Sequence, residues 1–319
     1  MQLVVDTDTG IDDALALMLL ASLPGIEIAA VTTTHGNCTT ESSTANARLV
    51  LDTCGLSTVP VIGGLSVPLV GDLSTASHVH GHDGLGDCGV APPPAPPARP
   101  GHTAVEALLD LATRRAGELD LLALGPLTNL GAALRMEPQL LTAFRTVTIM
   151  GGTGRRLAPG DPDPAAGVGD PNTYHDPEAA RLVAAAGARD HAVTLVGVDV
   201  TLGVGASGEY LTRLAAATTT HGRLAARFTA FYVDFYERLS GVRTLALHDP
   251  TAALAAVGAD IAATWREGHA VVEGPAGQER QVLAPSIPGG RITRALSGCD
   301  GDRVAELTIG ALEHALPTR

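Results

Sequence analysis

Short, unbroken apolar runs alternate with longer amphipathic segments through the first two thirds of the chain. An apolar run without alternation between its two faces is typical of a strand covered on both sides. Strand and helix in regular succession predict a parallel sheet with crossover helices. We therefore expect an α/β fold with one domain over residues 1–319, in which helices flank a Rossmann-like, mostly parallel central sheet. The predicted strands are residues 3–5, 26–33, 59–62, 119–124, 147–150 and 193–198, and the predicted helices are residues 12–21, 41–51, 103–116, 127–134 and 177–186.

The last third of the chain is patterned less clearly. Beyond Thr201 the pattern becomes helical, and a weakly patterned tail follows. The expected elements there are helices at 208–219 and 223–239, a small hairpin within 270–283 and a final helix at 303–315. Two segments are too rich in proline or glycine for regular structure. We expect the first, at 91–100, to be a surface connector and the second, at 151–171, to be a long loop at the edge of the sheet.

Charge and cysteine content exclude several classes of partner. The 319 residues include 21 Lys and Arg against 34 Asp and Glu, which gives a net charge of −13. Nucleic acids and anionic membranes need a cationic surface, so we expect neither as a partner. No apolar run reaches the roughly 18 residues of a membrane span, and no basic segment precedes the first strand. The four cysteines form no C-x-x-C pair, which argues against a zinc site or a disulfide framework and favours a reducing, cytoplasmic compartment.

Four aspartates follow the first predicted strand and open the first predicted helix: Asp6, Asp8, Asp12 and Asp13. Ligands of an open parallel sheet bind beyond the carboxyl ends of its strands, so we expect the active site there. One or two aspartates at a helix start are ordinary caps, but closely packed like charges raise one another's pKa unless a cation relieves them. We favour a hard divalent cation held by oxygens, with a solvated capping cluster as the alternative. No glycine-rich phosphate motif accompanies the cluster.

The segment DTDTGIDDALAL resembles the N-terminal signature of the inosine–uridine-preferring nucleoside hydrolases, D-x-D-x-G-x-D-D-A. Other segments resemble that family in the same order along the chain. The resemblance spans roughly residues 1–260. These segments are THGN (34–37), HGHDGLG (80–86), LGPLTNL (124–130), IMGG (149–152), NTYHDPEAA (172–180), GVDVT (197–201) and LHDP (247–250).

The resemblance implies a calcium-dependent N-ribohydrolase with a single α/β domain. Carried over residue by residue, it implies that Ca²⁺ is held by Asp8, Asp13, the backbone carbonyl of Leu124 and Asp249. It also implies a set of contacts to the substrate and the attacking water. These are Asp12 at the ribose 2′-hydroxyl, Asn37 near the water, Met150 in the sugar pocket, Asn172 at the ribose hydroxyls, His80 near the base and His248 as proton donor to the base.

The chemistry agrees with those roles. Cleavage of an N-glycosidic bond builds positive charge on the ribose, in an oxocarbenium-like transition state, and negative charge on the base. Ca²⁺ accepts many oxygen ligands, so it can hold carboxylates, two ribose hydroxyls and a water. We expect Asp8 to take the proton of that water and a histidine to protonate the leaving base. The expected partner is a small-molecule nucleoside in purine or pyrimidine salvage, and the resemblance implies a homodimer or homotetramer.

Some residues near these motifs have a plainer interpretation. Tyr232 and Tyr236 lie one helical turn apart, and such pairs usually pack together, although the same region covers the base in this family. Asp83 is expected to shape its own loop. His82 is expected to be an ordinary surface residue of a glycine-rich segment.

The sequence departs from the family where the ribose 5′-hydroxyl is bound. Family members carry E-F-N there, and the glutamate, with an earlier asparagine, grips that hydroxyl. Here Asp170 and Pro171 precede Asn172. Aspartate is one methylene shorter than glutamate, so we expect the contact from Asp170 to be shifted, water-bridged or lost. Without gaps the earlier asparagine is replaced by Pro164, and Asp161 or Asp163 is the alternative ligand if the loop is displaced. This departure indicates a substrate that is altered at the 5′ position or in the base.

Two other functions stay open at this point. A calcium-dependent ribosyl-binding paralogue with little turnover would explain the altered 5′ segment. The retained Asp8, Asp13, His248 and Asp249 argue against it. A magnesium-dependent phosphate-ester hydrolase would share the acidic first strand, but no Lys or Arg motif for a phosphate accompanies it.

Overall fold

A computed structural model of the protein describes residues 1–90, 103–154, 168–189, 193–285 and 292–317. The connector predicted at 91–100 lies outside these residues, as does most of the loop predicted at 151–171. Within the described ranges no helix is long and apolar enough to cross a membrane.

Nine of the described strands form one sheet in the order β10-β9-β11-β6-β5-β4-β1-β2-β3. Neighbours from β11 to β3 in that order run parallel, whereas β9 is antiparallel to both β10 and β11. The mostly parallel sheet is therefore confirmed. The strands are β1 Gln2–Thr7, β2 Glu27–Thr33, β3 Val61–Gly63, β4 Asp120–Ala123, β5 Val147–Met150, β6 Val193–Val196, β7 Gly205–Ser207, β8 Thr244–Ala246, β9 Thr264–Glu273, β10 Arg280–Ala284 and β11 Thr293–Gly298, of which β7 and β8 form a separate antiparallel pair.

Helices cover both faces of the sheet. Alternate strand residues point to opposite sides, so Leu3 and Val5 belong to one hydrophobic cluster and Val4 to the other. One face carries α1, α2, α10, α11 and α12, and the other carries α4, α5 and α7. The helices are α1 Ile11–Ser22, α2 Thr40–Thr53, α3 Ser77–His80, α4 Ala104–Arg114, α5 Thr128–Met136, α6 Pro171–Tyr174, α7 Pro177–Arg189, α8 Val198–Thr201, α9 Glu209–Ala215, α10 Thr220–Ser240, α11 His248–Ala256 and α12 Gly301–Glu313, with a 3₁₀ turn at Leu140–Ala143.

The first helix lies in the interior of the molecule. Eleven of its twelve residues are buried, because α1 packs against the sheet, α2, α11 and α12 together. A helix that is apolar all round in this way is typical of a central position. Its first turn carries Asp12 and Asp13, so the acidic cluster lies in a buried part of the molecule.

The strands and helices predicted in the first two thirds are confirmed, with shifts of a few residues at their ends. The helix predicted at 208–219 is shorter, at Glu209–Ala215, because Thr219 caps the following helix by accepting from Gly222 N. Helix α11 was not predicted. Its residues are almost all buried, so its sequence lacks the polar face that marks an amphipathic helix. The predicted hairpin is confirmed in β9 and β10, which extend the main sheet.

Candidate active site

Aspartates from three separate segments converge at the carboxyl end of β1. Asp8 follows β1, Asp12 and Asp13 lie in the first turn of α1, and Asp249 lies in the first turn of α11. One oxygen each from Asp12, Asp13 and Asp249 lies within 4.8 Å of the others. All four side chains are buried, with at most 5% of each residue exposed. The fold thus brings together carboxylates that are about 240 residues apart in sequence.

The segment after β2 holds two of these carboxylates in place. The backbone N–H of Asn37 donates to Asp8 Oδ2 at 2.6 Å, and its side-chain Nδ2 donates to Asp13 Oδ2 at 2.8 Å and to Asp8 Oδ1 at 3.3 Å. Asp13 Oδ1 also accepts from the hydroxyl of Thr7. Gly36 has φ of +148°, and a β-carbon there would lie 2.1 Å from Asp8 Oδ2. This close approach requires glycine.

The electrostatics of the cluster favour a bound cation. Burial and the neighbouring charge of Asp13 raise the pKa of Asp12 to about 7. The same two causes raise the pKa of Asp8 well above its usual range, and burial together with Asp12 raises the pKa of Asp249. The available donors are carboxylate oxygens and the carbonyl of Leu124, which lines the same cavity. Because hard divalent cations prefer oxygen ligands, these residues fit such a metal.

A cavity of about 650 Å³, including its solvent-filled mouth, adjoins the carboxylates. Asp12, Asn37, Leu124 and Asp249 line it beside the carboxylate cluster. Two further sets of residues complete the wall. An aromatic set from α3, α10 and α11 comprises His78, His80, Tyr232, Phe235, Tyr236 and His248, and a second set from the β5, α6 and α8 region comprises Met150, Val168, Pro171, Asn172, Tyr174 and Val198.

His248 is fixed by hydrogen bonds at both ring nitrogens. Its Nδ1 lies 2.7 Å from Thr201 Oγ1, and its Nε2 lies 2.7 Å from the hydroxyl of Tyr236. Burial lowers the pKa of His248 to about 4, so the ring is neutral at pH 7. A neutral imidazole has one donor and one acceptor, and both are used here. The role of proton donor to the base, which the resemblance implies for His248, stays a prediction, and the hydrogen bond places the Tyr236 phenol beside His248 at the cavity.

His80 and Tyr232 connect the aromatic set to the carboxylates. His80 Nδ1 accepts the backbone N–H of Ile11 at 3.1 Å, which leaves Nε2–H as the donor of a neutral ring. Burial lowers the pKa of His80 to about 3. Its ring centroid lies 5.2 Å from that of Tyr232, whose hydroxyl hydrogen-bonds Asp12. The Tyr232 ring in turn lies 4.9 Å from Tyr236 in an edge-to-face arrangement.

Comparison with known proteins identifies the family of this chain. The sequence model of the family described as Inosine-uridine preferring nucleoside hydrolase matches residues 3–296. The chain belongs to this family. Uridine nucleosidase 1 of Arabidopsis thaliana is 36% identical over 273 residues, covering 85% of this chain and 78% of that protein. The inosine-uridine preferring nucleoside hydrolase of Leishmania major is 34% identical over 252 residues, covering 79% of this chain and 77% of that protein.

The fold agrees with solved structures of nucleoside hydrolases. A plant nucleoside hydrolase superposes with a TM-score of 0.83 at 29% identity, covering 98% of each chain. Both comparisons point to an enzyme that hydrolyses the N-glycosidic bond of ribonucleosides.

In this nucleoside hydrolase most of the predicted site residues reach the cavity or the carboxylate cluster. Asp170 does not line the cavity. Its Oδ2 accepts the backbone N–H groups of Gly152 at 3.0 Å and Gln281 at 2.9 Å, and its Oδ1 accepts that of Thr173 at 3.4 Å. The predicted residues that line the cavity are Asp12, Asn37, His80, Leu124, Met150, Asn172, His248 and Asp249, while Asp8 and Asp13 belong to the cluster beside it.

Asn172 of the nucleoside hydrolase is held by two carbonyls of the strand ends. Its Nδ2 donates to Leu124 O at 2.5 Å and to Met150 O at 3.1 Å. These bonds use both hydrogens of the amide nitrogen, so the amide oxygen points away from the two carbonyls.

Sequence reasoning missed several residues of this site. Thr201 ends the GVDVT segment that carries the resemblance, but nothing in that segment indicates its hydrogen bond to His248. For Tyr236 the helical spacing from Tyr232 favours packing, with a contact to the base as the alternative that the resemblance implies. A phenol on a buried face needs a hydrogen-bond partner, and that requirement was the available signal. Nothing in the sequence alone indicates the other cavity residues, which are His78, Val168, Tyr174 and Phe235.

Proposed function

We propose that this enzyme is a calcium-dependent nucleoside N-ribohydrolase that releases free base and ribose. The convergence of Asp12, Asp13 and Asp249, with Asp8 bonded to the same Asn37 as Asp13, beside a cavity that Leu124 also lines, is the observation that carries the proposal. Bound Ca²⁺ supplies oxygen coordination for a vicinal diol and makes water in its coordination sphere more acidic. Asp8, Asp13, Asp249 and the Leu124 carbonyl are the proposed ligands.

The proposed sugar contacts come from residues on either side of the cluster. Asp12 lines the cavity and accepts from the ribose 2′-hydroxyl, while the Asn172 amide oxygen accepts from a second hydroxyl. Asn37 fixes the position of Asp8 with its backbone N–H and that of Asp13 with its amide. Asp8 takes a proton from the attacking water, whose oxygen bonds to C1′ as the C1′–N bond breaks.

The leaving base receives its hydrogen bond from Tyr236. In the tautomer we assign, the Thr201 hydroxyl donates to His248 Nδ1, and His248 Nε2–H donates to the Tyr236 oxygen. With its oxygen accepting from His248, the Tyr236 hydroxyl has its own proton to donate, and we assign that proton to the hydrogen bond with the base. Burial raises the pKa of Tyr236, so the phenol keeps its proton and stabilises negative charge on the base as the bond breaks.

The remaining sequence-based expectations stay predictions. These are a homodimer or homotetramer, a cytoplasmic location and a role in purine or pyrimidine salvage. All four cysteines are free, which favours a reducing compartment. The carboxylates, Asn37 and the Tyr236–His248 pair meet beside one cavity, which supports turnover over a ribosyl-binding paralogue.

The test is release of ribose from uridine and inosine by the purified protein with Ca²⁺. Asp249→Asn should lower kcat/KM by about a hundredfold or more, since even outer residues of a metal site cost about 10–100-fold. Asp260→Asn makes the same chemical change at an exposed position close in sequence, and it should leave kcat/KM unchanged. Absence of ribose release by the unmodified protein, or equal activity of the two variants, would refute the proposal.

A further inference from the structure

The shape of a ribofuranoside constrains how it can enter this cavity. Its 2′- and 3′-hydroxyls lie on one edge of the ring, whereas the base at C1′ and the 5′ carbon at C4′ leave from either side of the ring oxygen. A diol held at the carboxylate cluster therefore sends the base and the 5′ group toward different parts of the wall. The aromatic set, with the Tyr236 hydroxyl and His80, suits a planar leaving base. The 5′ group then meets the second set, around Met150, Pro171 and Val168.

The carboxylate nearest to that second set in sequence is not available to a 5′-hydroxyl. Asp170 accepts three backbone N–H groups, from the end of β5, from β10 and from α6. Only 1% of Asp170 is exposed. Its side chain ties these three segments together, and a substrate hydroxyl would have to replace one of these bonds to reach it.

The wall that Asp170 supports is mainly apolar in the described part of the chain. Pro171 directly follows Asp170 and lines the cavity together with Val168, Met150 and Val198. Pro171 has no backbone N–H to offer a ligand. The polar groups of this set are the Tyr174 hydroxyl and the Asn172 amide, of which the amide nitrogen is already bound to two carbonyls. Such a wall favours carbon or sulfur on the 5′ carbon over a hydroxyl.

We infer that the preferred substrates carry an apolar group at the 5′ position, as in 5′-deoxy- and 5′-alkylthio-ribonucleosides. This inference rests on the proposed function and names its substrate class. The reaction keeps the same balance: water adds its oxygen to C1′, the C1′–N bond breaks, and the base leaves with a proton. The sugar product is a 5-deoxy- or 5-alkylthio-ribose in place of ribose. Val168 and Pro171 become the residues that determine specificity.

The experiment compares kcat/KM for three substrates that share one base: adenosine, 5′-deoxyadenosine and 5′-methylthioadenosine, with the inosine and uridine series alongside. A site built to hydrogen-bond a hydroxyl rejects the analogue that lacks it by about 10⁴-fold or more. We expect the 5′-deoxy compound to match or exceed its parent within about tenfold. The methylthio compound should exceed its parent by about tenfold or more, as an added apolar group does in an apolar pocket.

The outcomes separate this inference from the proposed function. Cleavage of the parent nucleosides with a loss above about a hundredfold for every 5′-deoxy analogue would overturn the inference and leave the proposed function intact. Absence of cleavage of every compound would overturn the proposed function, and the inference with it. Cleavage of the 5′-apolar compounds alone would support both.

A pair of variants tests the wall itself. Val168→Asn places an amide in the apolar set and should shift the ratio of methylthio to parent kcat/KM by about tenfold toward the parent. Val70→Asn makes the same change at a surface residue that is 63% exposed, and it should leave the ratio unchanged. An unchanged ratio in Val168→Asn would contradict the assignment of this wall to the 5′ group.

Discussion

The Tyr236 hydroxyl is the group whose role differs most between the sequence and the structure. Helical spacing favours packing, with a contact to the base as the alternative, and its ring does pack edge-to-face against Tyr232. Its oxygen, however, lies 2.7 Å from His248 Nε2 and borders the cavity. One side chain thus contributes to the core with its ring and to the site with its hydroxyl.

Removal of this hydroxyl should separate the two roles. Tyr236→Phe keeps the ring, so we expect KM to change little and kcat for nucleosides to fall by about 10²–10³-fold, as when one donor to a developing anion is lost. A p-nitrophenyl riboside releases a stable anion that needs no such donor, so its kcat should fall far less. The measurement is steady-state kinetics with both substrates.

The matched control is Tyr210→Phe, which removes a phenol that donates to Asp302 O away from the cavity. It should leave both substrates unaffected. An equal loss for nucleosides and for the p-nitrophenyl riboside in Tyr236→Phe would mean that Tyr236 acts on the fold of the site and not on the leaving base.

At the scale of elements, the turn after β2 couples the backbone to the acidic cluster. Gly36 combines a positive φ with a close approach to Asp8, and Asn37 directly after it bonds both Asp8 and Asp13. The turn therefore sets the distance between two carboxylates that come from different elements.

Gly36→Ala should disturb both stability and the metal site. Its β-carbon would lie 2.1 Å from Asp8 Oδ2, so either the turn or the carboxylate must move. We expect loss of Ca²⁺ affinity by calorimetry and a clear fall in Tm. Gly25→Ala also has a positive φ, but nothing lies within 4 Å of its added carbon. It should cost about 1 kcal/mol of stability by strain alone, with Ca²⁺ affinity unchanged. Equal effects of the two substitutions on affinity would refute the coupling.

The elements that the sequence predicts are those with a clear apolar pattern. Unbroken apolar runs identified β1, β2, β4, β5 and β6, and the acidic segment after β1 identified the edge of the sheet that carries the site. The sequence does not predict helix α11, which carries His248 and Asp249, because the helix is buried on nearly all sides and so has no polar face. The hydrogen bond from Gln281 of β10 to Asp170 is not predicted either, because it joins residues 111 positions apart that share no sequence pattern.

For the whole molecule, buried histidines make stability depend on pH. Burial lowers the pKa of His175 to about 4, with a further contribution from His35 and His78, and its Nδ1 has no hydrogen-bond partner among the described residues. In the unfolded chain this histidine binds a proton near pH 6.5, whereas in the folded chain it binds one only near pH 4. Stability from this residue is therefore complete above pH 6.5 and is lost as pH falls toward 4.

Lowering the pH from 8 to 5 should reduce the free energy of unfolding by about 2 kcal/mol through His175 alone. His175→Asn should reduce the loss of stability over that interval by about this amount, as measured by urea denaturation at several pH values. His314→Asn, at an exposed histidine, should leave the pH dependence unchanged. Parallel curves for His175→Asn and the unmodified protein would contradict the assignment of this pH dependence to His175.

The stability of the whole molecule should also depend on calcium, since the fold buries four carboxylates that repel one another. At about a hundred times its Kd, a ligand specific for the native state contributes about 2.7 kcal/mol, which for a chain of this size is roughly 4 °C in Tm. We expect EDTA to lower Tm by that order and Ca²⁺ to restore it.

Asp249→Asn removes one ligand and one buried charge, so its Tm should not respond to Ca²⁺. In EDTA this variant should be more stable than the unmodified protein, because the repulsion is relieved. A lower Tm for Asp249→Asn than for the unmodified protein in EDTA would contradict the view that the metal offsets a repulsion built into the fold.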